Sequence, residues 1–112
     1  MDFLQGTLEM LILRTLLLGK RHGYGIAQSI RQISHEALLI EAGSLYPALQ
    51  RLELQKLVKA KWEISDTGRR ARFYTLTAAG RRKLSTTMSS WDDFVTAVGR
   101  VLNPPDSSKQ EG

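Results

Sequence analysis

Residues 41–53 read EAGSLYPALQRLE, and the fold turns on whether this stretch is a helix and where that helix begins. Leu45, Ala48, Leu49 and Leu52 fall at i, i+3, i+4 and i+7, the spacing of one apolar helical face. Pro47 lies inside that pattern, where a helix interior would lose about 3 kcal/mol. A helix that starts at Ser44 resolves the conflict. With Ser44 as N-cap, Pro47 is the third helical residue, and its missing N–H removes no intrahelical bond. Such a start carries partial positive charge and suits a phosphate. The opposite face holds Ser44, Tyr46, Gln50 and Arg51. Glutamine pairs with adenine, and arginine with guanine or phosphate. An ordinary solvated face beside a core tyrosine accounts for the same four residues equally well.

Working upstream, Thr7 caps a helix that runs to about Leu18, with Leu8, Leu11, Ile12 and Leu16 inward and Gly19 as its C-cap glycine. The turn KRHGYG leads to a second helix over about 25–34, with Ile26, Ala27, Ile30 and Ile33 on one face. Leu38 to Ile40 then form an apolar plug in the connecting loop. Working downstream, residues 57–64 read as a strand, SDTGRR as a turn, and Arg72 to Leu76 as the returning strand. A last helix begins at an N-cap, Thr77, and runs to about Leu102, where Asn103-Pro104-Pro105 stops it. The expected fold is mainly α with a small β-hairpin: a winged helix-turn-helix over 1–77, a long helix over 78–103 and a disordered polar tail over 104–112. In that architecture the third helix enters the DNA major groove and the hairpin, or wing, touches the flanking backbone.

The charge distribution agrees with a polyanionic partner. The chain of 112 residues has a net charge of +5 and a pI near 9.9. Residues 59–83 hold eight basic residues against two acidic ones, so the excess is concentrated in the hairpin and the start of the last helix. Arg69 and Arg70 flank the hairpin tip and Arg72 follows, where a wing meets phosphate. Tyr24, between Gly23 and Gly25, offers a hydroxyl to a phosphate, or is a half-buried tyrosine in a permissive turn. Phe73 and Tyr74 lie on opposite strand faces and are read as core, which argues against a single-strand binder with stacked bases.

Along the last helix, Leu84, Met88, Trp91, Val95, Val98 and Leu102 are spaced 4, 3, 4, 3, 4, the seam of a helix that pairs with another helix. A second copy of the chain is the expected partner, and a two-fold homodimer would set two recognition helices about 34 Å apart, one turn of DNA. Folding back on the chain's own core is the alternative. Trp91, from its place on that seam alone, is read as simple packing.

Several other classes are excluded. There is no cysteine, and His22 and His35 have no metal-ligand spacing, so neither metal nor cofactor is expected. GKRHGYG lacks the phosphate-loop pattern and follows a helix, not a strand. No carboxylate pair or nucleophile constellation suggests an enzyme. The N-terminal apolar run is broken by Glu9 and Arg14, too short and too charged to span a membrane, so the chain is read as cytoplasmic.

The combination QGTLEMLIL, HGYGIAQSI, GSLYPALQRLE and RRARFYTLTAAG, over about residues 3–95, resembles the PadR family of transcriptional regulators. The single C-terminal helix is similar to its compact subfamily. Lys56 departs from the pattern, since such sequences usually carry glycine there. The resemblance implies a homodimer that binds double-stranded operator DNA of pseudo-palindromic sequence, usually as a repressor, often released by a small aromatic or hydrophobic effector. Trp91 is the residue that the resemblance would place against that effector. The rival reading is a winged helix that serves as a protein-interaction module, without sequence-specific DNA binding.

Overall fold

A computed structural model of the chain describes residues 3–105, with side chains from residue 6 onward. Its elements are α1 (Phe3–Leu17), β1 (Arg21–His22), α2 (Gly23–Ile33), α3 (Ala42–Leu54), β2 (Val58–Ile64), β3 (Arg70–Leu76) and α4 (Ala78–Leu102). The three strands form one antiparallel sheet in the order β1-β3-β2. The architecture is therefore the winged helix with a long C-terminal helix. The expected disordered tail beyond residue 105 lies outside the described residues.

The core forms where the apolar faces of α1, α2 and α3 meet the sheet. Ile12, Leu13 and Leu16 of α1, Ile26 and Ile30 of α2, and all four periodic residues of α3 are buried there. Val58 and Tyr74 close it from the sheet and Leu84 from α4. Burial of these side chains stabilises the fold by about 1.5–3 kcal/mol each. Thr15 is the buried polar member, and its hydroxyl donates back to the Leu11 carbonyl at 2.8 Å.

Helix starts differ from the sequence reading. Helix α1 begins at Phe3, so Thr7 lies inside it rather than at its cap. Helix α2 begins at Gly23, because His22 is its N-cap and the imidazole Nδ1 accepts from the Gly25 N–H at 3.0 Å. Ile33, expected inward, is 62% exposed. Leu38 and Leu39 are also exposed, and of the expected plug Ile40 packs on the core.

Helix α3 begins two residues before Ser44. Its N-cap is Glu41, which makes no side-chain capping bond, and Ser44 is a helical residue. Pro47 is then the sixth residue of the helix, not the third, and the carbonyl of Gly43 has no N–H four residues on. The proline is tolerated because both Gly43 and Pro47 lie on the exposed face, where water can reach the freed carbonyl. At the other end, the Leu57 N–H bonds to the Leu52 carbonyl and the Lys56 N–H to the Glu53 carbonyl. That pair of bonds is a Schellman motif, and it holds Lys56 at a φ of 60°, the left-handed region that glycine favours.

The hairpin is longer than the sequence suggested. Arg70 and Ala71 belong to β3, opposite Ile64 and Glu63. The connecting loop is closed by the Ser65 N–H on the Arg69 carbonyl at 2.7 Å, with Gly68 at a φ of +79°. Strand β1 had no periodic signal, being two residues long. It forms because its pairing with Phe73 and Tyr74 docks the start of α2 onto β3.

Helix α4 starts as expected. The Thr77 hydroxyl accepts from the Gly80 N–H at 2.9 Å and donates to the Lys56 carbonyl at 2.8 Å. The C-terminal end of α1 leads into β1, and α4 leaves β3, so both ends lie beside the sheet and the two helices run antiparallel. Beyond Phe94, the apolar residues Val95, Val101 and Leu102 of α4 are exposed, while Val98 is half-buried.

Candidate nucleic-acid interface

The outward face of α3 carries Gly43, Tyr46, Pro47, Gln50 and Leu54 in successive turns, all exposed. Beside it stands the N-terminus of α2. Gly23 allows the two helices to approach closely: a Cβ there would lie 2.7 Å from Cε1 of Tyr46 and 2.9 Å from its hydroxyl. The Tyr46 ring thus leans over the α2 start, and Tyr24 is 67% exposed next to it.

Between this helix pair and the hairpin lies an open concavity of about 480 Å³. Tyr24, Tyr46, Arg69, Arg70 and Arg72 all line it. The fold brings these five expected residues, distant in sequence, to one surface.

The arginines of this surface are not equivalent. Arg70 lies over the Trp62 ring, 4.8 Å from its centroid, a cation–π contact that orients the guanidinium along the wing. Arg69 is exposed at the hairpin tip. Arg72 donates to Glu53 Oε2 at 2.6 Å and lies 6.0 Å from the Tyr74 ring, so it ties the wing to α3. Arg51 turns to the opposite side and donates to Glu9 Oε2 of α1 at 2.9 Å. It lies outside the concavity and holds α3 against α1. Ser44 and Gln50 are exposed on α3 but do not line the concavity either. Gln50 occupies the middle of the outer face, whereas Ser44 stands on the flank nearer Arg51.

Two contributors had not been anticipated. Trp62 lines the concavity and seats Arg70; it pairs with Arg72 in the strand register, which a sequence reading could use only with the loop length in hand. His22 caps α2 and packs edge-on against Phe73, with ring centroids 5.3 Å apart. Nothing in its local sequence marks it as a cap for a helix that begins immediately after a strand. Tyr74 is buried beneath Arg72, and burial raises its hydroxyl pKa above the ordinary tyrosine value.

The expected α4 seam is divided by the fold. Leu84 is 3% exposed and belongs to the chain's own core, so it is not free to meet a second helix. Trp91 and Val98 are half-buried, and Met88, Val95 and Leu102 are exposed. Trp91 and Phe94, 6.0 Å apart, line an apolar cavity of about 200 Å³ against Gly6, Thr7 and Met10 of α1. Among the described residues no group of three His, Asp or Glu could hold a metal ion, and no helix is long and apolar enough to cross a membrane.

Comparison with known proteins gives this geometry a family context. Residues 12–86 match the model of the transcriptional regulator PadR-like family. An uncharacterised protein X of Lysinibacillus sphaericus is 34% identical over 91 residues, covering 80% of this chain and 83% of that protein. Among solved structures, a transcriptional regulator from Clostridium thermocellum is similar with a TM-score of 0.79 and 26% identity, over 88% of this chain and 93% of that one. A PadR family transcriptional regulator from Eggerthella lenta is similar with a TM-score of 0.76 and 31% identity, over 91% and 88% of the two chains.

Proposed function

Because the chain belongs to the PadR-like family of transcriptional regulators, we propose that it acts as a homodimeric repressor of the cytoplasm that binds a two-fold symmetric DNA operator. The observation that carries this reading is the concavity between α3 and the wing, where Tyr24, Tyr46, Arg69 and Arg70 converge. Its arginine lining beside α3 suits a sugar-phosphate strand at the edge of the major groove, while Gln50 and Leu54 on the outer face of α3 reach base edges. Arg69 and Arg70 carry the phosphate contacts. Arg51 and Arg72 act through position, holding α3 to α1 and to the wing. Both guanidinium groups also have carboxylate partners, and Arg72, which lines the concavity, keeps donors for a phosphate there.

Helix α4 is the dimerisation element in this reading, through Met88, Trp91, Val95, Val98 and Leu102. Repression follows by occlusion, with two recognition helices in successive major grooves. The cavity beside Trp91 is the proposed effector site. At about 200 Å³ it is smaller than the usual 300–1,000 Å³ of a small-molecule site, so a second copy across the seam would complete it. A flat aromatic compound stacked on Trp91 would change how α1 and α4 pack, and with it the separation of the recognition helices.

The test is selection of bound duplexes from a random library at about 150 mM salt, beside an Arg69/Arg70→Ala variant. Enrichment of a two-fold symmetric motif, weakened in the variant, is the expected result. Binding without sequence preference in the intact protein would instead favour the protein-interaction module.

A further inference from the structure

We infer that His22 contacts DNA itself: with Nδ1 committed to capping α2, the imidazole carries its hydrogen on Nε2 and donates it to a phosphate oxygen of the strand in the concavity. This rests on the DNA-binding reading above and adds to it an uncharged donor that belongs neither to α3 nor to the basic wing.

The cap fixes the chemistry of the ring. A neutral imidazole has one N–H and one bare nitrogen, and the hydrogen bond made by either decides which is which. The Gly25 N–H donates to Nδ1 at 3.0 Å, so Nδ1 is the bare nitrogen and Nε2 holds the hydrogen. The ring is also held in place. Its edge-on contact with Phe73 has centroids 5.3 Å apart, and the Tyr24 ring lies nearly parallel at 6.4 Å. Gly25 completes the seat, since a Cβ there would lie 3.3 Å from Cε1 and 3.4 Å from Nδ1. A donor fixed on three sides loses little freedom when it binds.

That donor has no acceptor within the chain. Among the described residues Nε2 makes no hydrogen bond. No buried side-chain nitrogen or oxygen of those residues lacks a partner, so Nε2 is open to solvent even though His22 is half-buried. His22 lines the concavity, and the ionised groups of that wall are Arg69, Arg70 and Arg72, with no carboxylate among the described lining residues. Donors therefore converge there from the wing and from the β1–α2 junction, and the acceptor must come from outside. In the strand register His22 stands opposite Phe73, one residue from Arg72, so imidazole and guanidinium border the same stretch of β3. A phosphate diester supplies what both need: several acceptor lone pairs and a negative charge.

Two substitutions separate the two nitrogens. His22→Asn keeps an acceptor oxygen where Nδ1 lies and removes the distal donor. His22→Gln places an amide N–H where Nε2 lies and removes the capping acceptor. Both are compared with the parent and with Arg69/Arg70→Ala by fluorescence anisotropy at several salt concentrations, with urea unfolding beside it. The probe is a labelled duplex carrying the motif enriched in the selection, or a mixed-sequence duplex of the same length where none is enriched. The two scales should run in opposite orders. His22→Asn unfolds close to the parent, since asparagine caps well. It binds about fivefold more weakly per half-site, with the salt slope unchanged because a neutral donor releases no counterion. His22→Gln unfolds more readily yet binds more tightly than His22→Asn. Affinity that followed stability through both variants would leave His22 a cap alone and overturn the proposal. So would His22→Asn binding like the parent while Arg69/Arg70→Ala is weakened. A parent that bound no duplex, or an Arg69/Arg70→Ala variant that bound like the parent, would sink the DNA reading itself.

Discussion

Replacing Gly80 by alanine should destabilise the protein, against the expectation from helix propensity. In an ordinary helix, Gly→Ala stabilises by about 1 kcal/mol. At Gly80, however, a Cβ would lie 2.1 Å from the Leu57 carbonyl oxygen, 2.7 Å from Leu76 Cδ1 and 3.1 Å from the Leu57 carbonyl carbon. The leucine side chain can rotate away. The carbonyl cannot, since it accepts from the Thr77 N–H at 3.1 Å, and the Leu57 N–H is itself held by the Leu52 carbonyl at 2.9 Å. Carbon and carbonyl oxygen settle at about 3.3 Å, so the first turn of α4 must withdraw by roughly 1.2 Å. That withdrawal breaks the Thr77–Leu57 bond, worth about 1 kcal/mol net. It also disturbs Leu84, where overpacking costs about 1–3 kcal/mol. After the propensity gain, a net loss of about 2 kcal/mol remains, or roughly 8 °C in Tm for a domain of this size. Gly99 is the control, because nothing lies within 4 Å of its Cβ position and alanine there should stabilise slightly. Thermal and urea unfolding at one fixed protomer concentration, followed by circular dichroism, measure both. If Gly80→Ala proved as stable as the parent, the packing of α4 on the α3–β2 junction would be wrong.

Other predictions follow from the same geometry. Lys56→Gly relieves a non-glycine residue at a φ of 60° and should raise stability by about 1 kcal/mol, read from the urea midpoint. Gly23→Ala meets the end of the Tyr46 side chain rather than backbone. It should therefore cost less than about 1 kcal/mol in unfolding while lowering operator affinity about tenfold, a split that equilibrium binding and unfolding would reveal together. Arg69→Ala should reduce the salt slope of DNA binding by about 0.9 per half-site, whereas Arg51→Ala should leave that slope unchanged, as titrations at several salt concentrations would show. Tyr74 is held neutral by burial, its folded pKa above its unfolded value. Its contribution to stability is full below about pH 10 and lost as pH rises through the folded value. Tyr74→Phe should flatten that alkaline decline in the urea midpoint.

The sequence was informative wherever the signal is local. Apolar residues at helical spacing announced α3 and its four buried positions, and the change of period after Gln55 announced the hairpin. Thr77 was legible as a cap because its partner, Gly80, is only three residues away. Boundaries were less legible. Ser44 has the chemistry of a cap, yet α3 starts earlier, because Pro47 can be tolerated on a solvent-facing turn. Whether a turn faces solvent is not a local property. Strand β1 was invisible for the same reason: two residues have no period, and they become a strand through Phe73 and Tyr74, more than fifty positions away.

The site divides along the same line. Sequence alone determined that a basic hairpin follows a helix with a polar outer face, since residue types and their spacing suffice for that. It could not say which arginines have carboxylate partners. Arg51 and Arg72 are as basic as Arg69 and Arg70 in a list of residues, but the fold sets Glu9 beside the first and Glu53 beside the second, 42 and 19 positions distant. It likewise placed Leu84 in the core and left Leu102 outside, although both belong to one heptad pattern. Periodicity records which residues share a face of a helix; what that face meets is decided by how far the helix runs past the elements it packs on, and that belongs to the tertiary structure.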